Sequence, residues 1–276
     1  MKLLAILLLT LLILLMSNSC QQSSAYALSE DGFQNFIKDY VNKVEPLSTR
    51  YNQAQWDAYI SGKSELFDLT QKLSLQIDSV HQDNNHFKYL KALKEKMVIH
   101  DTLLKRQLTI LYNAYLAKQI NPELNKQITE LSTKLENTFG NFRAEVDGKK
   151  LTDNDVTRIL KNSTDSEYRE KVWRAQKSLG ELTAKDIVEL AKLRNKAAKE
   201  LGFENYYKMA MTLSELDPEQ VENTFDELST LSEKPFRKIH LRLKPFFLKD
   251  IRLKPVNFVP GIMKICLHRR PRQFLI

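Results

Sequence analysis

The sequence contains little glycine and cysteine, and it lacks the short motifs that mark several common catalytic sites. Its 276 residues include seven glycines and two cysteines, Cys20 and Cys266. It has no glycine-rich phosphate loop, no Cys-x-x-Cys pair and no Gly-x-Ser-x-Gly elbow. Nothing in it therefore indicates a P-loop nucleotide site, dithiol redox chemistry or the serine nucleophile of an α/β-hydrolase.

A helix-borne zinc site is also missing from the sequence. None of the five histidines belongs to a His-Glu-x-x-His motif or has a second histidine four residues away on a helix: His81, His86, His100, His240 and His268. The many carboxylates alternate with Lys and Arg, as on solvated helix faces. We therefore predict no catalytic residue and no metal ligand in this chain.

No segment sustains a two-residue alternation of apolar and polar side chains, so no strand is predicted. Leu, Lys, Glu, Gln and Ala are abundant, and these residues favour helix. The sequence predicts an all-α body over residues 29–239, built from many antiparallel helices joined by short turns.

Capping residues mark the starts of three of these helices. Ser29 precedes the helical run that begins at residue 30, and Asn121 precedes Pro122, which suits the first helical position. Thr152, with Asp155 in the following turn, is typical of another helix start.

Glycine, proline and periodicity predict where helices bend or end. The longest helical pattern is continuous over residues 87–120, and residues 147–150 form a glycine-bearing turn. Bends are expected at Pro46 and Gly62, and helix ends at Gly180 and Gly202.

The first twenty residues predict an export signal. Lys2 precedes an apolar run over residues 3–16, too short for a comfortable membrane span and suited to a signal-peptide core. The segment resembles a bacterial lipoprotein signal, with cleavage before Cys20 and lipid attachment to its thiol. Residues 20–28 would then be a polar tether, and the mature chain a membrane-anchored, periplasmic lipoprotein of the cell envelope. The alternative is an ordinary secretory signal in which Cys20 is incidental.

All of the net charge of +8 lies near the C-terminus. Residues 240–276 hold nine basic residues and one acid, whereas residues 1–239 hold 33 of each sign. The same 37 residues carry four of the eight prolines and show no recurring apolar face. Since export is expected, nucleic acid is not an expected partner of this basic tail.

One long segment resembles a known family. Residues 159–211, ILKNSTDSEYREKVWRAQKSLGELTAKDIVELAKLRNKAAKELGFENYYKMAM, are similar to the zinc dipeptidyl carboxypeptidases related to angiotensin-converting enzyme, in particular to bacterial members. The similarity covers about residues 29–239. Four aromatic residues could line a substrate channel in such a protein, although packing is the commoner role for such residues: Trp56, Trp173, Tyr206 and Tyr207.

The resemblance implies an elongated, almost wholly helical peptidase that releases dipeptides from peptide C-termini. In that family, lid helices lie near the N-terminus, and zinc is bound far downstream by a His-Glu-x-x-His helix and a further Glu. The metal activates a water, and the motif Glu acts as general base. No position of this chain matches any of these catalytic or zinc-binding residues of the family. We therefore expect an inactive N-terminal fragment that binds no zinc itself, although the full-length family uses zinc and peptide substrates.

The basic tail has the properties of a sequence translated out of frame. The family sequence should continue as amphipathic helix and reach Pro-Trp-His-Tyr. The possible codons of residues 257–265 can be regrouped so that each new codon begins at the third base of an original one, and they then permit Phe-Arg-Pro-Trp-His-Tyr-Glu-Asp. In this frame, Met263 followed by Lys264 must give Glu. The hypothesis is a single-base frameshift near codons 237–240.

The predicted organisation is thus a signal peptide (1–19), a tether (20–28), a helical part of a peptidase domain (29–239) and an aberrant, irregular tail (240–276). One alternative is a non-enzymatic helical lipoprotein whose cationic tail contacts an anionic membrane. Another is a self-contained helical binding lipoprotein, for which residues 20–239 alone would be monomeric and unfold cooperatively.

Overall fold

The computed structural model describes residues 26–250, with side chains described as far as residue 242. The predicted signal peptide, Cys20, Cys266 and residues 251–276 of the predicted tail lie outside the described residues. Helices dominate the part that is described, so the predicted all-α class is confirmed. In chain order the elements are α1 (Glu30–Ser61), α2 (Ser64–His81), α3 (Asn84–Lys96), α4 (Thr102–Leu116), α5 (Pro122–Asn141), β1 (Ala144–Val146), β2 (Lys149–Leu151), α6 (Asp153–Asn162), α7 (Ser166–Lys177), α8 (Leu179–Glu200), α9 (Tyr206–Leu213) and α10 (Pro218–Asp250).

The three predicted helix starts are confirmed by their hydrogen bonds. The Ser29 hydroxyl accepts from the Gly32 amide at 3.1 Å. Asn121 accepts from the first amides of α5, which has Pro122 in its first turn. Thr152 and Asp155 form a reciprocal capping box on α6. Each side chain satisfies backbone donors that a helix start leaves without intrahelical partners.

The predicted continuous helix over residues 87–120 is wrong, because two helices occupy this range. Helix α3 ends at Lys96, and the next residue, Met97, adopts a left-handed conformation with φ of 50°. Asp101 then caps α4 by accepting from the Leu104 amide. The Glu30 carboxylate accepts from the amides of His100 and Asp101, which holds the break in place.

The absence of strands was also predicted wrongly, since a short hairpin follows α5. Strands β1 and β2 pair antiparallel, with Val146 opposite Lys149. Asp147 and Gly148 form the turn with φ values of 50° and 76°, and Asp-Gly is a preferred sequence for such a two-residue turn. Strands of three residues are too short to show alternation in the sequence.

Helix bends and ends follow the predicted positions only in part. Helix α1 continues through Pro46 and ends before Gly62, whose φ is 70°. Gly202 ends α8 as predicted, with φ of 85°, and the Phe203 amide donates to the Ala198 carbonyl at 2.9 Å. Gly180 instead lies in the first turn of α8, because α7 has already ended at Lys177.

Helix α10 continues past residue 240, where the predicted tail begins. It reaches Asp250, supported near that boundary by a Glu233–Arg237 ion pair at 2.8 Å and by Phe236 stacked on His240. Leu, Lys and Arg are good helix formers, so the composition there permits helix despite the change in charge. The predicted boundary at residue 240 therefore does not coincide with a helix end.

The chain divides into two compact units. Among the described residues, the first unit comprises residues 26–47 and 77–119, and the second comprises residues 48–76 and 120–250. The first unit has a core of aromatic and leucine side chains: Phe33, Phe36, Tyr89, Leu90, Leu93, Ile99, Leu104, Leu108, Leu111 and Tyr115. In the second unit, Ala144 and Val146 of the hairpin pack with Val156 and Val172.

Candidate functional site

The turn between α8 and α9 builds a cleft in the second unit. Asn205 caps α9 by accepting from the Lys208 amide, and the Asn195 side chain accepts from the Tyr206 amide at 2.9 Å. These two bonds hold the start of α9 against the last turns of α8. As a result, Tyr206 and Tyr207 face the side of α8 that carries Arg194.

The cleft has a volume of about 440 Å³ and a largely apolar wall. Helix α8 contributes Ile187, Leu190, Ala191, Arg194 and Asn195, and the start of α9 contributes Asn205, Tyr206 and Tyr207. Arg194 is the one charged residue among these. Such a cleft can bind an apolar group next to an anionic one, but its lining offers no nucleophile or carboxylate for peptide hydrolysis.

Arg194 is held by neighbours on two sides. Its guanidinium lies over the Tyr206 ring, 5.2 Å from the centroid, and it donates to the Ser132 hydroxyl at 3.5 Å. Burial raises the pKa of the nearby Glu136 carboxyl, while a hydrogen bond from Tyr59 and the charge of Arg194 act in the opposite direction. Burial and the carboxyl of Glu136 together raise the pKa of Tyr59 to about 12.

The first unit contains a second cluster of polar groups, built around two histidines. His81 Nε2 lies 3.0 Å from the Tyr40 hydroxyl, and His86 Nδ1 lies 3.3 Å from the Tyr115 hydroxyl. The Tyr115 ring meets the His81 ring edge to face. Both imidazoles therefore pack among tyrosine rings.

The aromatic residues proposed from the sequence fall into different environments. Tyr206 and Tyr207 line the α8–α9 cleft, whereas Trp56 is 66% exposed. The Trp173 indole N–H is buried without an acceptor among the described residues. Sequence reasoning missed Arg194 and Glu136, which have no motif around them and meet only through helix packing.

The described residues do not fit a zinc ion. Between residues 26 and 250, no group of three or more His, Cys, Asp or Glu side chains is arranged to hold a metal. The imidazoles of His81 and His86 are already engaged with tyrosines. No step of metal-assisted hydrolysis can be assigned to these residues.

The fold is thus a mainly helical scaffold with one short hairpin and a small apolar cleft, and its described residues include no group arranged to hold a metal. A family model described as angiotensin-converting enzyme, peptidase M2, matches residues 27–246, more than three quarters of the chain. The chain belongs to the angiotensin-converting enzyme family of metallopeptidases, whose full-length members use zinc and act on peptides. No curated protein matches it.

Proposed function

We propose that this polypeptide is the N-terminal helical part of an exported, lipid-anchored zinc peptidyl-dipeptidase and that it has no peptidase activity as written. The family match over residues 27–246 is the observation that carries the proposal. It assigns the helical body to a peptidase, although the body offers no metal-binding group in its described residues.

Exposed apolar side chains support the proposal that a further part of the peptidase packs against this chain. On α8, Leu182, Ile187 and Val188 are each more than half exposed. Surfaces of this kind are typical of contacts with another part of a protein, and they favour aggregation or degradation when that part is missing.

The missing part would be encoded in an adjacent reading frame. The family match extends to residue 246, which is six residues past codons 237–240, where we place the frame break. The regrouped codons of residues 257–265 permit the Pro-Trp-His-Tyr sequence that the resemblance to this peptidase family leads us to expect. The zinc-binding residues would follow further along that frame.

Anchoring to the membrane would depend on Cys20. Between residues 26 and 250, no helix combines the length and apolar character that crossing a bilayer requires. In our proposal, lipid attached to Cys20 anchors the chain. Radiolabelled palmitate should label the chain in a bacterial host, and Cys20→Ala should abolish that labelling. A secretory signal with an incidental cysteine would leave both forms unlabelled.

The gene itself provides the first test. Deep resequencing from codon 225 to well past codon 276 should show either no frame break or an adjoining frame that continues into His-Glu-x-x-His. A confirmed frame without peptidase sequence downstream would contradict the proposal.

A confirmed frame without peptidase sequence downstream would favour the alternative function of the tail, which is contact with an anionic membrane. The concentration of basic charge in residues 240–276 suits contact with anionic lipid. Deleting residues 240–276 should then abolish binding to phosphatidylglycerol vesicles. If the deletion leaves binding unchanged, the membrane-contact function is excluded.

A further inference from the structure

Helix α10 carries an apolar stripe that faces solvent. Phe225, Leu228, Leu231, Phe236 and Ile239 are 48–67% exposed. At 100° per residue they fall within a stripe about 140° wide on one side of the helix. Leu241 is equally exposed, at 66%, but lies about 160° from the middle of this stripe.

The charges of α10 are separated along its axis. Glu219, Glu222, Asp226, Glu227 and Glu233 precede Lys234, with no basic residue among them. From Lys234 to Arg242 all four charged residues are basic: Lys234, Arg237, Lys238 and Arg242. The change of sign falls near residue 233, close to the midpoint of the apolar stripe.

We propose that two copies of this chain pair through α10 in antiparallel orientation, with their stripes in contact. The stripe is nearly symmetric about residue 232, because Phe225 would lie opposite Ile239 and Leu228 opposite Phe236. Leu231 would then lie near the two-fold axis. A two-fold interface of this kind brings the same surface of each copy into contact.

Charge complementarity favours a second copy of this chain as the partner of the stripe, and it favours the antiparallel orientation. Antiparallel pairing places the acidic half of each helix beside the basic half of the other, whereas parallel pairing places like charges together. Glu227 and Lys238 lie on the same flank of the stripe and would face each other across the pair. They are eleven residues apart in one helix, about 16 Å along its axis, so they cannot pair within one chain.

The apolar part of the proposal is tested by sedimentation equilibrium of the full chain in density-matched non-ionic detergent. The expected species has twice the chain mass. Leu231→Asp should raise its dissociation constant at least about tenfold, since it buries a charge near the axis. Leu241→Asp is the matched control, of equal exposure on the opposite face, and should leave the dissociation constant unchanged. Helical circular dichroism should be the same for both variants.

The orientation is tested by exchanging charges. Glu227→Lys and Lys238→Glu should each raise the dissociation constant about fivefold at low salt, and the double exchange should restore it. A monomeric wild type would overturn the proposal and leave the stripe for the missing part of the peptidase. Heterogeneous aggregates affected alike by Leu231→Asp and Leu241→Asp would also overturn it, as would a double exchange that does not restore pairing. These experiments measure association of the chain with its present sequence and use neither peptidase activity nor the gene sequence as a readout, so failure of the dimer and failure of the proposed function are distinguishable.

Discussion

At the scale of single residues, the chain buries several titratable groups that no catalytic step uses. His81 and Tyr40 form a hydrogen bond inside the first unit, next to an ion pair in which the Lys118 ammonium lies 2.9 Å from the Asp78 carboxylate. Burial lowers the pKa of His81, Asp78 opposes that decrease, and Lys118 adds to it. The folded chain therefore favours a neutral imidazole at this position.

This preference predicts that the first unit loses stability in mild acid. Below pH about 6.5 the unfolded chain binds a proton at His81 that the folded chain resists, so stability decreases as the pH falls through that value. Urea unfolding should show a loss of up to about 1.4 kcal/mol per pH unit between pH 6.5 and 5.5. The variant His81→Gln keeps a polar partner for Tyr40 and should flatten this dependence. If the unfolding free energy of the variant depends on pH as steeply as that of the wild type, groups other than His81 cause the dependence.

Glu136 should show the opposite pH dependence. Its pKa is raised, so above pH about 4.5 the unfolded chain ionises more readily than the folded one, and the carboxyl costs stability as the pH rises. Glu136→Gln should therefore gain stability relative to the wild type between pH 4 and pH 7, measured by urea unfolding. Glu189→Gln, on an exposed ion pair of α8, is the control and should show no such trend.

At the scale of elements, the glycines near the two ends of α8, Gly180 and Gly202, contribute to stability in opposite ways. Gly202 has φ of 85°, a conformation that costs other residues about 1–2 kcal/mol. Gly202→Ala should therefore destabilise the chain by about 1 kcal/mol. Gly180 lies in a helical turn with open space around it, so Gly180→Ala should stabilise the chain by about 0.5 kcal/mol. Thermal unfolding of both variants checks the signs, and equal signs would contradict the assignment of Gly180 to α8.

The same contrast shows what the sequence could predict. Capping residues act locally, so Ser29, Asn121 and Thr152 mark helix starts without knowledge of the tertiary fold. The break near Met97 depends on Glu30, about seventy residues earlier, and no local pattern reveals it. The α8–α9 cleft was only half predicted, because its tyrosines are conspicuous whereas Arg194 acquires its neighbours through packing.

At the scale of the whole molecule, the decisive feature is a peptidase-family body without a metal-binding group in its described residues. Local caps help to form such a body, since most of its described helices begin at a side chain that accepts from their first backbone amides. Full-length members of this family use zinc, and the residues described here include no group of three or more side chains arranged to hold a metal. In our proposal this body supplies scaffold, and the zinc ligands are encoded further along the adjoining reading frame.

Restoring the reading frame should convert this scaffold into an enzyme. A gene repaired by one base near codons 237–240 should produce a longer chain that releases C-terminal dipeptides from a model peptide, with activity removed by a chelator and restored by zinc. The chain as written, assayed with the same zinc concentration, should release none. The repaired chain should also resist protease better, since the added part would cover apolar side chains of α8 such as Leu182. Activity in the chain as written would refute the fragment proposal, because its described residues hold no zinc ligand set.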